Sequence, residues 1–150
     1  MKILSPAISR LARLRYWKIE QWLNNPVEAQ REVLQDLVTH AQHTEIGRKY
    51  GFHELFNIRR FKERVPIHEY EDLKPYIERI MQGEQNLLWD TPVYWFAKSS
   101  GTTSDKSKFI PITEESLEDT HYQGAKDLLT LYYNFNPESD LLTGKGLVIG

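Results

Sequence analysis

Apolar residues recur at spacings of three and four through the first half of the chain and then give way to short unbroken apolar runs. The pattern therefore predicts helices first and strands after. Leu4, Ile8, Leu11 and Leu14, followed by Tyr16, Trp17 and Trp22, place a helix from about Ala7 to Leu23. Asn25-Pro26-Val27-Glu28 predicts the start of a second, with Asn25 as N-cap, Pro26 at the first position and Glu28 closing a capping box. Its apolar face is Val27, Leu34, Leu37, Val38 and Ala41, and the two helices are expected to pair as an antiparallel hairpin. Thr44 to Phe52 reads as a connector punctuated by Gly47 and Gly51. Asn57 to Val65 is a short helix stopped before Pro66. Glu69 to Met81 resumes a helical pattern through Tyr70, Leu73, Ile77 and Ile80, with Pro75 expected to bend or divide it and Gly83 to end it.

From Leu87 the texture changes. Leu87-Leu88-Trp89 and Val93 to Ala97 have strand character, separated by Asp90, Thr91 and Pro92, and Phe109-Ile110-Pro111-Ile112 reads as another short strand. Pro111 suits an edge or a strand end. Thr113 is placed to cap a helix with Glu114 and Glu115 in its first turn and an apolar stripe of Leu117, His121, Gly124, Leu128, Leu131, Tyr132 and Phe135. A loop from Asn134 to Gly144 leads into a last strand, Gly146 to Gly150, on which the chain stops; the expectation is of a chain cut inside its sheet. The order is thus mostly helical over 1–86, then strand, loop, strand, helix, strand over 87–150, an α+β arrangement.

Composition narrows the chemistry. The 150 residues suffice for one domain with a hydrophobic core, and a net charge of -2 gives no general electrostatic case for a nucleic-acid partner. Without cysteine there are no disulfides, thiolate metal sites or cysteine nucleophiles, which fits a reducing compartment. The apolar run before Arg10, Arg13 and Arg15 is too short for a signal peptide and no segment has membrane length, so the expected location is cytoplasmic, with no membrane partner. The arginines of the first helix and the basic run Arg59 to Arg64 read as solvated faces. His40 and His43 lie three apart without a matched third ligand, which favours a helix-end role over a metal site.

Between the last two apolar runs lies Ser99-Ser100-Gly101-Thr102-Thr103-Ser104-Asp105-Lys106-Ser107-Lys108. Glycine permits close backbone approach, hydroxyls donate to phosphate oxygens, and lysine neutralises their charge, so the composition suits a polyanion. A plain polar turn uses the same residue types, but ten residues exceed what a tight hairpin needs. The second glycine of a nucleotide P-loop is missing, a dinucleotide fingerprint fails with only one glycine, and there is no Gly-x-Ser-x-Gly elbow.

Ser99 to Ser104, followed by Lys108 and Phe109-Ile110-Pro111, closely resembles the phosphate loop of adenylate-forming enzymes related to acyl-CoA synthetases and luciferases. The spacing to Lys108 is similar to that of one branch, the auxin-responsive acyl acid amido synthetases in their bacterial form. Thr44 to Phe52, the segment Phe61 to Gly83 with Val65-Pro66-Ile67 and Tyr70-Glu71-Asp72-Leu73, and the terminal Gly146 to Gly150 agree with that branch. Asp105 stands where members commonly carry glycine, and members are several hundred residues long.

The resemblance implies an α/β fold, the chain forming the N-terminal part of one adenylation domain. It implies ATP and Mg2+ as cofactors, and a small-molecule carboxylic acid and an amine or amino acid as partners. The implied reaction activates the acid as an acyl adenylate and then forms an amide. Ser99, Ser100, Gly101, Thr102, Thr103 and Ser104 would hold the β and γ phosphates, with Lys108 as the cation and Lys106 second to it. The catalytic residues stay unassigned, and the chain alone is expected to be catalytically incomplete. The alternative is a non-catalytic helical fragment or a phosphate-binding interaction module.

Overall fold

A computed structural model describes residues 4–99, 107–139 and Leu141. The helices are α1 (Leu4–Asn24), α2 (Pro26–Ala41), α3 (Glu45–Tyr50), α4 (Ile58–Arg64), α5 (Tyr70–Met81) and α6 (Gln123–Phe135). A short 3-10 turn spans Phe52–Glu54 and a π-helix spans Ser116–Tyr122. Two strands, β1 (Trp95–Lys98) and β2 (Phe109–Ile112), pair antiparallel with Trp95 opposite Ile112 and Lys98 opposite Phe109. The helix-rich first part leading into short strands matches the expected class. The expected last strand, Gly146 to Gly150, lies outside the described residues.

The chain divides into two compact units, Met1–Pro26 with Glu118–Gly150, and Val27–Leu117. In the first, α1 packs on α6. Within this unit the packing partner of α1 is α6, a pairing the sequence pattern did not anticipate. A bidentate pair from Arg15 Nε and Nη2 to Asp127, at 2.6 and 2.8 Å, sets the rotation of α6. Ile19, Thr130 and Tyr133 are buried, whereas Leu128 and Phe135 of the expected stripe are 69% and 72% exposed. The turn between α1 and α2 also departs from expectation. The Asn25 side chain donates to the Gln21 carbonyl at 3.1 Å, at the end of α1, and the Glu28 carboxylate is taken by Arg31, not by a capping box.

The second unit is built around α3, which two glycines hide from a propensity reading. Thr44 is 0% exposed; its hydroxyl accepts from Gly47 N–H at 3.0 Å and donates to the Ala41 carbonyl at 2.7 Å. Two more free donors of the first turn, on Glu45 and Ile46, find the carbonyls of Asn86 and Leu87 at 3.0 Å. Gly47 is required by packing, since a Cβ there would sit 1.8 Å from the Ala41 carbonyl oxygen. Gly51 ends the helix at φ 65°, a conformation that suits glycine. Arg79 of α5 bonds Glu45 at 3.0 and 2.7 Å and Glu84 at 2.7 and 2.5 Å, tying α5, α3 and the following loop together.

Leu87-Leu88-Trp89 is loop, not strand, because its neighbourhood spends its carbonyls on the α3 N-terminus. Leu87 instead joins Ile80 and Val93 in the core, with Tyr76, Leu88 and Phe96 packed around them. Val93 and Tyr94 also stay outside β1: the Gln85 side-chain amide accepts from Val93 N–H at 2.9 Å and donates to its carbonyl at 3.3 Å, taking the place of a strand. Pro75 does not divide α5, which runs through it as one helix. Asn57 caps α4 by accepting from Arg60 N–H at 3.0 Å, and the charged residues Arg59, Arg60, Lys62, Glu63 and Arg64 are exposed, as expected of a solvated face. Thr113 caps the next helix: its hydroxyl accepts from Ser116 N–H, and Ser116 Oγ accepts from Thr113 N–H, both at 3.2 Å.

Gly47→Ala is expected to destabilise the fold by at least about 2 kcal/mol, because the methyl group meets backbone, not a movable side chain; urea denaturation checks this. Arg79 holds the Glu45 and Glu84 carboxyls below their ordinary range, as Arg15 holds Asp127. Depressed folded values add stability that is present above the ordinary carboxylate range and lost as pH falls through the folded values. Denaturation midpoints should therefore drop between about pH 5 and pH 3, with a shallower drop in Arg79→Gln.

Candidate functional site

The candidate site is the neck of the β1–β2 hairpin. Beyond the last paired residues, Ser99 N–H donates to the Lys108 carbonyl at 3.0 Å, and Lys108 N–H donates to Ser99 Oγ at 3.2 Å. Ser99 thus meets both backbone groups of Lys108, one through its main chain and one through its side chain. The hydroxyl accepts that bond and keeps its own proton to donate. The ends of the hydroxyl-rich stretch are therefore tied together. Ser100, Gly101, Thr102, Thr103 and Ser104, with Asp105 and Lys106, lie outside the described residues.

Lys108 is exposed, and its ammonium sits 5.4 Å from the centroid of the Tyr70 ring, a cation–π separation. The Tyr70 hydroxyl accepts from Phe109 N–H at 3.0 Å and donates to the Phe109 carbonyl at 3.3 Å. Tyr70 is the first residue of α5, whose start is set by Glu69 N–H donating to Asp72 Oδ2 at 2.8 Å. Between α5 and the neck runs an open groove of about 890 Å³ lined by Tyr70, Lys74, Glu78, Ser107, Lys108 and Phe109, among others. Lys74 bonds Glu71 at 3.2 Å, and the carboxylate raises its pKa above the ordinary ammonium value.

Thr91, ahead of the hairpin, and Phe96, within β1, complete its support. Thr91 Oγ1 donates to Glu115 Oε2 at 2.8 Å, and Phe96 packs on the buried cluster under β1. Of the residues named from sequence, Ser99 and Lys108 are brought together. Tyr70 stands in the helical stripe and in the stretch Tyr70 to Leu73 that agrees with the family branch, without a role at the loop, and the 39 residues separating it from Phe109 leave no local signal of the link. His40 stacks on Trp89 and has Asp90 at 3.4 Å, and the His43 carbonyl accepts from the Asn86 side chain. No helix among the described residues is long and apolar enough to cross a membrane.

The arrangement of these elements recurs in solved structures of one enzyme class. The GH3.15 acyl acid amido synthetase superposes with a TM-score of 0.67 at 31% identity over 79% of this chain and 21% of that one. The fold is therefore that of the N-terminal region of an acyl acid amido synthetase. Residues 15–149 match the sequence profile of the GH3 family N-terminal domain, and the chain belongs to the GH3 family. Indole-3-acetic acid-amido synthetase GH3.2 of Arabidopsis thaliana is 36% identical over 101 residues, 67% of this chain and 18% of the relative. Jasmonoyl--L-amino acid synthetase JAR4 of Nicotiana attenuata is 34% identical over 119 residues, 79% of this chain and 20% of the relative. The chain spans about a fifth of the length of these relatives.

Removing the Ser99 hydroxyl should leave the strand pairing in place and free the Lys108 amide. Amide exchange in Ser99→Ala is expected to accelerate about fivefold at Lys108, with the amides of Ala97 and Phe109 unchanged.

Proposed function

We propose that this chain supplies the phosphate-holding wall of an ATP-dependent acyl acid amido synthetase. Its substrates are a small-molecule carboxylic acid and an amine or amino acid. The observation that carries the reading is the closed neck in a GH3 chain, where Ser99 and Lys108 bond each other at the two ends of a hydroxyl-rich stretch. A tied loop presents its hydroxyls and N–H groups from a fixed base, which suits a polyphosphate better than a free tail would.

In the reaction, an oxygen of the acid attacks the α-phosphorus of ATP. The bond to the bridging oxygen breaks, and acyl adenylate and pyrophosphate form. The amine nitrogen then adds to the activated carbonyl, AMP leaves, and the nitrogen loses a proton to give the amide. Ser99, Ser100, Gly101, Thr102, Thr103 and Ser104 hold the β and γ phosphates, and Lys108 balances charge that builds on the leaving pyrophosphate. Among the described residues no group of three or more His, Asp or Glu could cage a metal ion. Mg2+ bound together with the nucleotide would supply neutralisation of phosphate charge.

The relatives' names support the substrate classes, since they are synthetases of amides of indole-3-acetic acid and of jasmonoyl–amino acid conjugates. With about a fifth of the relatives' length, the 150-residue chain is expected to bind polyphosphate without turning over.

In a polypeptide that carries this chain within the full length of its relatives, ATP–pyrophosphate exchange driven by a carboxylic acid should fall about a hundredfold or more in Lys108→Ala. Exchange at the unaltered rate would remove Lys108 from the role.

A further inference from the structure

A two-stranded hairpin has outward-facing backbone groups on both edges, and a ladder that short is marginal in water. On β2 the outward groups nearest the loop belong to Phe109, because those of Lys108 turn inward to Ser99. Both outward groups of Phe109 are met by one atom, the Tyr70 hydroxyl, which accepts at 3.0 Å and donates at 3.3 Å. The ring below that hydroxyl carries the Lys108 ammonium at 5.4 Å. One side chain of α5 therefore grips the backbone on the loop side of β2 and seats the charge of the neighbouring residue. Its own place is fixed by the α5 start and by packing of Ile77 and Ile80 of the same helix into the core.

We propose that Tyr70 is a positioning residue for phosphate binding. Its hydroxyl holds the neck of the loop in register, and its ring parks the Lys108 ammonium beside the neck until a polyanion draws it across. The proposal rests on the phosphate-holding reading above and assigns to that site a residue acting through Lys108 and Phe109. Tyr70 itself makes no contact with the ligand. The hydroxyl and the ring have separable effects: Tyr70→Phe removes the first and keeps the second, and Tyr70→Leu removes both.

The test uses the 150-residue chain with inorganic tripolyphosphate as probe. Calorimetry gives affinity and NMR gives amide exchange and the Lys108 side-chain resonances. In the parent protein the ε-methylene protons of Lys108 should lie upfield from ring current, remain so in Tyr70→Phe, and return to ordinary values in Tyr70→Leu. Tyr70→Phe should accelerate amide exchange at Phe109 about tenfold, leave the α5 core amides unchanged, and weaken tripolyphosphate binding about fivefold. Lys108→Ala should weaken binding more, and in the Lys108→Ala background Tyr70→Leu should weaken binding no more than Tyr70→Phe does, because the ring acts through the lysine and the hydroxyl through Phe109.

Unchanged Phe109 exchange in Tyr70→Phe, or a loss in Tyr70→Leu greater than in Tyr70→Phe when both are made in the Lys108→Ala background, overturns the proposal while leaving the phosphate-holding reading intact. Unchanged tripolyphosphate affinity in Lys108→Ala overturns that reading and the proposal with it. Exchange that rises throughout α5 and the hairpin in Tyr70→Phe marks a merely structural tyrosine and also overturns the proposal. Tyr70→Phe keeps the ring and so the packing; should Tyr70→Leu fail to fold, the exchange and affinity arms on Tyr70→Phe still decide.

Discussion

The structure around the site depends on how a two-stranded sheet satisfies the backbone groups that face away from its partner strand. With only four residues in each strand, β1 and β2 cannot be stable on ladder bonds alone. Side chains supply the missing partners. Gln85 brackets both backbone groups of Val93 just before β1, and Tyr70 brackets both groups of Phe109 at the start of β2. Phe96 adds the apolar anchor beneath. The loop neck is thus held from outside the sheet by residues of α5 and the segment after it, and its geometry is as firm as their placement.

That placement is set in turn by α3. Its buried N-cap, Thr44, and the carbonyls of Asn86 and Leu87 absorb donors of the first turn, which fixes the loop that leads from α5 to β1. Asn86 holds its carbonyl there from a left-handed conformation at φ 60° and donates its side chain to the His43 carbonyl. Arg79 closes the assembly by binding Glu45 and Glu84 together. These are polar links at helix ends, and the apolar cluster of Ile80, Leu87 and Val93 fills the space they enclose. A short helix with a glycine inside it and another at its C-cap persists because its tertiary bonds outweigh its propensity.

What was legible in the sequence was local. Periodicity placed α1, α2, α5 and α6, Thr113 announced the helix after β2, and the texture change near Leu87 located the hairpin with β2 at its observed bounds. The composition of Ser99 to Lys108, with its resemblance to a phosphate loop, pointed to the neck residues that the structure brings together. What was not legible came from partners far along the chain. Leu87 and Val93 look like strand residues, and only Glu45, Ile46 and Gln85 make them loop. The apolar stripe of α6 cannot report that Asp127, a polar residue at its edge, chooses the side that meets α1. Tyr70 is an ordinary helix-start aromatic until Phe109 lies against it.

The central claim is that the stretch from Ser99 to Lys108 receives a polyphosphate at its tied neck. Its most direct measurement is an amide chemical-shift titration of the 150-residue chain with ATP. Saturable shifts centred on the amides of Ser99, Lys108 and Phe109 are expected, reproduced by tripolyphosphate and absent with adenosine. Shifts confined to the exposed basic run of α4, or no saturable shift at the neck at millimolar ATP, would contradict it.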